Sequence, residues 1–260
     1  MPFFKAAGKL VYYAHVPKCG GSSIASYITD RFGPLAFHEN RYLDVAEPQR
    51  WTKSSPQHVD ALVLERLLPL SLFDAVFTVV RHPVPRLVST YHFQLELQKS
   101  IPETMSFSAW LDKLDPNPTA TSATTPFAYD NHIRPMSKIV PEGATVFYME
   151  HGLDALVGWF DLLESKIGTQ RALIPENRRG DHVKTGTALV KPSAADLARI
   201  HHLYREDFDR FGYVTEHTKP AALPPVLSAE FLAERDRALA AAKRPLAVLR
   251  RKIKKRLALL

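Results

Sequence analysis

The sequence predicts an α/β domain: a short parallel sheet flanked by helices, with ligand bound at the carboxyl ends of the strands, followed by a C-terminal helical arm. Three stretches carry this. The β-branched and aromatic run from Val11 to Ala14 gives way after Pro17 to a lysine, two glycines and two serines, and then to helical apolar spacing at Ile24, Tyr27 and Ile28. Ala75 to Val80 is a nearly unbroken apolar run of buried-strand type that stops at Arg81 and is followed by Pro83 and Pro85, which can begin but not continue a helix. Ala144 to Glu150 is a third apolar strand, and His151 to Ser165 an amphipathic helix with Leu153, Leu156, Val157, Phe160 and Leu163 on its core side.

The first of these stretches has the geometry of a phosphate cradle. Gly20 and Gly21 let the backbone bend so that successive N–H groups converge, Ser22 and Ser23 add hydroxyl donors, and the helix N-terminus adds partial positive charge. Lys18 brings a full charge to the same place. The Walker pattern has its lysine after the glycines, whereas here it precedes them, which disfavours an ordinary ATP or GTP loop. Taken alone, the stretch could equally be a plain strand-to-helix turn with an exposed lysine.

The second stretch supplies an independent anion site. Arg81 falls at a strand's carboxyl end, and Arg86 and Ser89, three apart, share a helical face. The planar arginine fork suits phosphate oxygens. Pro17-Lys18-Cys19-Gly20-Gly21-Ser22-Ser23 together with Arg81-x-Pro83-x-x-Arg86-x-x-Ser89-x-Tyr91 resembles the two nucleotide loops of sulfotransferases that use 3′-phosphoadenosine 5′-phosphosulfate (PAPS), closest to the carbohydrate type, sulfotransferase family 2-like. The resemblance spans about Leu10 to Tyr213, with strong anchors only at the two loops. It implies a P-loop-like sulfotransferase fold, PAPS as co-substrate and no metal. It further implies that Lys18, Cys19, Gly20, Gly21, Ser22 and Ser23 line the 5′-phosphosulfate loop and that Arg81 and Ser89 hold the 3′-phosphate. Lys18 also serves catalysis by meeting charge on the leaving group.

Composition narrows the class. A chain of 260 residues forms one sizeable core, or one with an appendage. One cysteine excludes an internal disulfide and no local Cys/His spacing matches a zinc motif, so a reducing compartment is expected. Cys19, placed in the active loop, reads either as a nucleophile or as a small lining residue, and the family pattern favours the latter. No apolar run approaches the roughly 20 residues that span a bilayer, and Met1 to Lys9 is too short and interrupted for a secretory signal. Golgi relatives carry an N-terminal anchor that this chain lacks, so a cytoplasmic, bacterial enzyme is expected.

The net charge is +7, but residues 243–260 hold eight basic residues and no acid, leaving −1 for the remainder once those eight are subtracted. The basicity is therefore local to the tail, and no nucleic acid is expected as partner. Pro220 to Pro225 separates residues 1–218, the sulfotransferase domain, from residues 219–260, a linker and basic arm. In the arm Leu246, Leu249, Ile253, Leu257 and Leu260 fall at helical spacing with basic residues between them, starting or kinking near Pro245. An anionic membrane surface, packing on the domain, and pairing in a dimer are the alternative uses of that face.

Transfer of a sulfuryl group to an alcohol needs a base, and histidine titrates in the right range. Carbohydrate-type relatives use a histidine or glutamate just upstream of the 3′-phosphate strand. His58, before the helical stretch Val59 to Leu68, matches that position, with His38 and Glu39 as competitors. Tyr91 to Gln98 continues helical and Ser106 to Leu114 forms another short helix. Asp115 to Pro126 is Pro-, Thr- and Ser-rich, a loop of the kind that varies acceptor-binding elements or a mere surface insertion. Asn131, His132 and Arg134 resemble the family's Asn-x-x-x-Arg stretch, with the arginine one residue early, and are the candidates for contact with a saccharide or glycolipid acceptor. Arg178, Arg179, His182 and Lys184 fall where relatives close a basic loop over the nucleotide, and Lys184 joins the donor-binding candidates. Ser193 caps a helix, Ala194 to Phe211, that ends at Gly212. Two other classes stay open: a peripheral membrane or nucleic-acid binder driven by the arm, and a P-loop-type kinase, which would need a Walker lysine and a magnesium-binding carboxylate.

Overall fold

A computed structural model describes residues 1–117, 127–168, 171–176 and 188–257. Its sheet grows from the apolar runs. Strands β1 (Phe3–Ala6) and β2 (Lys9–Ala14) form a hairpin around Ala7 and Gly8, whose φ values of 49° and 84° are those of a tight turn matched to strand twist. After helix α1 (Gly21–Phe32) and helix α2 (Ala61–Leu67), which Asp60 caps by accepting from the Val63 N–H at 3.0 Å, strand β3 (Ala75–Val80) pairs parallel to β2. Helix α3 (Pro83–His92) follows β3 directly and continues into a π turn, Phe93–Leu97. Helices α4 (Phe107–Asp112) and α5 (Met136–Ile139) then lead to strand β4 (Thr145–Tyr148), parallel to β3, and helix α6 (Asp154–Glu164).

The order is β1-β2-β3-β4, three parallel strands with an antiparallel edge strand. That edge is an addition to the expected parallel sheet. It forms because Phe4 and Ala6 alternate inward with Lys5 outward, a pattern too short to stand out in the sequence. The register sets Tyr13 beside Phe77, and their rings stack at 4.8 Å, 7° from parallel. Phe160 from α6 meets Phe77 edge-on at 5.5 Å, and Ile24 and Ile28 of α1 are fully buried in the same core. Each such side chain contributes about 1.5–3 kcal/mol on burial.

The expected single helix from Ala194 to Phe211 is two, α7 (Ala194–Leu203) and α8 (Arg205–Phe211), broken at Tyr204 with φ −118° and ψ 25°. Three tertiary bonds favour the break. The buried Tyr204 hydroxyl donates to the Ile133 carbonyl at 2.7 Å, and buried Asp207 accepts from the N–H groups of Met136 (2.9 Å) and Ser137 (2.8 Å). Gly212 ends α8 with φ 64°, as expected of a left-handed cap.

Helices α9 (Ala229–Ala242) and α10 (Pro245–Leu257) form the arm, the second starting at Pro245. The first half docks on the domain: Phe231 is buried beneath the Arg171 guanidinium (4.8 Å), Arg235 pairs with Asp154 at 2.5 Å, and Arg171 with Glu234 at 2.9 Å. On α10, Leu246, Leu249 and Ile253 are 73%, 53% and 49% exposed, an apolar row left uncovered. Among the described residues no helix is long and apolar enough to cross a membrane.

Candidate functional site

The loop after β2 and the loop after β3 lie side by side because their strands are parallel neighbours. Lys18 has φ 68° and Gly20, the N-cap of α1, φ 82° and ψ 15°, left-handed turns that carry the backbone around the start of the helix. Gly21 is required for space: a Cβ there would stand 1.8 Å from His15 Nε2. The Lys18 ammonium lies over the Phe93 ring, 3.8 Å from its centroid, a position the π turn supplies. Burial and the nearby Arg81 charge bring the Lys18 amine down to about 8. Arg81, half-buried at the end of β3, donates to the Lys18 carbonyl at 3.4 Å.

The other loop residues divide. Ser22 is exposed on the first turn of α1. Ser23 is buried, its Oγ accepting from the Glu176 N–H at 2.8 Å, while Ser26 donates to the Glu176 carboxylate at 2.9 Å. The Cys19 thiol is fully buried against the Pro17 carbonyl and burial pushes it up to about 12, so it is a packing residue and no nucleophile. Ser89 is half-buried on α3. Arg86, expected to share a face with Ser89, instead turns inward. It is completely buried and donates to the carbonyls of Pro17 (3.3 Å), His132 (3.1 Å) and Arg134 (2.6 Å), tying the phosphate-type loop to the segment after residue 127.

That segment completes the second half of the site. Phe127, Tyr129, Asp130 and Asn131 all have φ between 52° and 67°, a left-handed run that is costly for non-glycine residues and is held by its contacts. It aims Asp130 at His58: Oδ2 lies 2.6 Å from His58 Nδ1. Ser55 donates to the same carboxylate through its hydroxyl (2.7 Å) and its N–H (2.5 Å). Burial pushes the Asp130 carboxyl up, but the charge and hydrogen bond of His58 outweigh it and hold the group at about 2. An ionised carboxylate at Nδ1 fixes the proton there and leaves Nε2 as the acceptor.

The remaining candidates sit around this pair. Asn131 is buried and donates to the His58 carbonyl at 2.9 Å. His132 is buried between the His58 ring (5.0 Å) and the Phe93 ring (5.2 Å), and burial, with the charges of His58 and Lys18, holds it well below the usual histidine range. Arg134 pairs with Asp60 at 3.0 Å. His38 is brought down to about 4 by burial and by His58, and exposed Glu39 makes backbone contacts with Gln57. Lys184, with Arg178, Arg179 and His182, lies outside the described residues.

Asp130 and His15 are the residues that sequence reasoning passed over. His15 stacks on Tyr13 (5.1 Å) and leans on His58 (4.9 Å). The one available signal for Asp130 was chemical: a histidine acting as base needs an orienting acid.

A strand–loop–helix of phosphate-cradle type, beside a basic loop on the adjacent parallel strand and a buried imidazole–carboxylate pair, defines an α/β group-transfer enzyme. Residues 2–214 match the family model described as Sulfotransferase family, and the chain belongs to that family, whose members transfer sulfate. No curated protein and no solved structure matches the chain.

Proposed function

We propose that the protein moves the sulfuryl group of PAPS onto a hydroxyl of a saccharide or glycolipid-type acceptor by in-line displacement. Support comes above all from the meeting of Lys18 and Arg81 at the ends of adjacent parallel strands, where the Arg81 guanidinium donates to the Lys18 carbonyl at 3.4 Å and neither side chain is ion-paired with a carboxylate among the described residues. Such a pair suits a donor with phosphates at both ends of its ribose. The closely packed Gly20–Gly21 turn leaves backbone N–H groups to face it. His58 Nε2 takes the acceptor O–H proton as the oxygen attacks sulfur. The S–O bond to the nucleotide phosphate breaks, and its electron pair stays on the phosphate oxygen, where Lys18 meets the charge. Arg81 and Ser89 hold the 3′-phosphate, Asp130 orients His58, and every step proceeds without a metal.

Calorimetric titration with 3′-phosphoadenosine 5′-phosphate tests the donor site. Binding by the intact protein should weaken roughly 10- to 150-fold in Lys18→Ala and in Arg81→Ala, the worth of a charge-assisted contact of about 1.5–3 kcal/mol. No binding, or wild-type binding by both variants, would overturn the assignment.

The basic helix α10 favours a second element of the same reading. Its uncovered Leu246, Leu249 and Ile253, flanked by cations without acids, suit an anionic lipid surface, which would bring a cytoplasmic enzyme to the inner membrane face beside a lipid-borne acceptor.

A further inference from the structure

We infer that His58, Asp130 and His132 form a transition-metal site, and that an ion such as Zn²⁺ bound there inhibits the enzyme by taking up the donor atoms on which the base depends. One donor atom from each of the three lies within 4.8 Å of the other two. Ligands of a tetrahedral zinc ion, with bonds of about 2.0–2.2 Å, stand roughly 3.3 Å apart, so the most distant donors need to close by no more than about 1.5 Å.

The chemistry of the set favours a borderline ion. Two imidazoles and one carboxylate are the donors taken by zinc, cobalt or nickel, whereas magnesium prefers an all-oxygen shell with several waters. A supporting shell is in place as well. Ser55 donates to Asp130, Gln94 Nε2 lies 3.3 Å from His132 Nδ1, and Asn131 holds the His58 carbonyl. His15 adds a buried Nδ1 with no partner among the described residues, beside His58. The ring of neutral His58 carries one proton, so ligation through Nδ1 moves that proton to Nε2, and the Asp130 carboxylate neutralises part of the charge of the ion. Inhibition rests on His58 being the base; ion binding does not.

Titration of the metal-free, full-length protein with Co²⁺ should develop visible ligand-field absorption that saturates at one equivalent, is displaced by Zn²⁺ and is untouched by excess Mg²⁺. Asp130→Asn and His132→Gln, shown folded by retained binding of 3′-phosphoadenosine 5′-phosphate, should lose it, while His202→Gln on exposed α7 should not. Histidine-ring NMR of the wild-type protein provides a reading without substitutions: one equivalent of Zn²⁺ should shift the His58 and His132 signals together. Absence of the band, or shifts confined to exposed histidines such as His202, overturns the site. Zn²⁺ that binds as described yet leaves sulfuryl transfer unaffected would keep the metal site and remove His58 from the reaction instead.

Discussion

Gly21→Ala separates packing from propensity in one substitution. Alanine in place of glycine inside a helix ordinarily gains about 1 kcal/mol. At Gly21 the added methyl would lie 1.8 Å from His15 Nε2, where ordinary contact is 3.4–4 Å. The imidazole would have to retreat by about 1.6 Å, and it is hemmed in by the Tyr13 ring at 5.1 Å and the His58 ring at 4.9 Å. Overpacking of this kind costs about 1–3 kcal/mol, so after the helix gain the variant should lose up to about 2 kcal/mol, a fall in Tm of up to roughly 8 °C for a chain of this size. Gly158→Ala in α6 is the control. Nothing lies within 4 Å of its new Cβ, and that variant should gain stability. Urea unfolding of the two variants, alone and with His15→Ala, completes the cycle: in the His15→Ala background the Gly21→Ala penalty should disappear. An effect of Gly21→Ala that is the same in the wild-type and His15→Ala backgrounds would refute this account of the loop.

Asp130→Asn should leave binding of 3′-phosphoadenosine 5′-phosphate within about two-fold while lowering sulfuryl transfer by roughly 10²–10⁴, because the amide no longer fixes the proton on His58 Nδ1; an unchanged kcat would show that Asp130 only packs. Lys18, with its amine at about 8, loses its charge in the free protein as pH rises through that value, and a bound anion would hold the proton on. Affinity for 3′-phosphoadenosine 5′-phosphate should therefore fall between about pH 8 and 10 with proton uptake on binding, and calorimetry in buffers of different ionisation heat should find both effects gone in Lys18→Ala. Leu246→Asp with Leu249→Asp should abolish sedimentation with anionic vesicles and leave donor binding intact; unchanged sedimentation would exclude the α10 face as the contact.

The parts of this protein that announce themselves in sequence are those built from neighbours along the chain. Val11 to Ile28 and Ala75 to Tyr91 each hold a strand, a loop and a helix start within about 18 residues, so periodicity, proline and glycine mark them unaided. His58 is singled out only by resemblance to relatives that place a histidine or glutamate upstream of the strand now seen as β3. What was not legible is pairing across the fold. Asp130 reaches His58 over 72 residues, through backbone angles that no local pattern encodes, and the burial of its neighbours Asn131 and His132 was equally hidden in the sequence. The zinc-spacing rule was blind for the same reason: it scans short intervals, and this cluster joins residues 58, 130 and 132. The helix broken at Tyr204 failed similarly, since the bonds that bend it come from Ile133, Met136 and Ser137.

Arg86 carries a consequence for how such an enzyme can diversify. Its buried guanidinium rests on three carbonyls and forms no ion pair with a carboxylate among the described residues, so its positive charge adds to the field at the loop of Lys18 while its bonds fix where the chain after Phe127 passes. One rigid peg thus holds the donor's floor and the base's scaffold in common. On the function proposed above, sequence drift outside this tie can proceed without disturbing the alignment of donor and base. The converse also holds: loss of this single cation would unfasten both halves together.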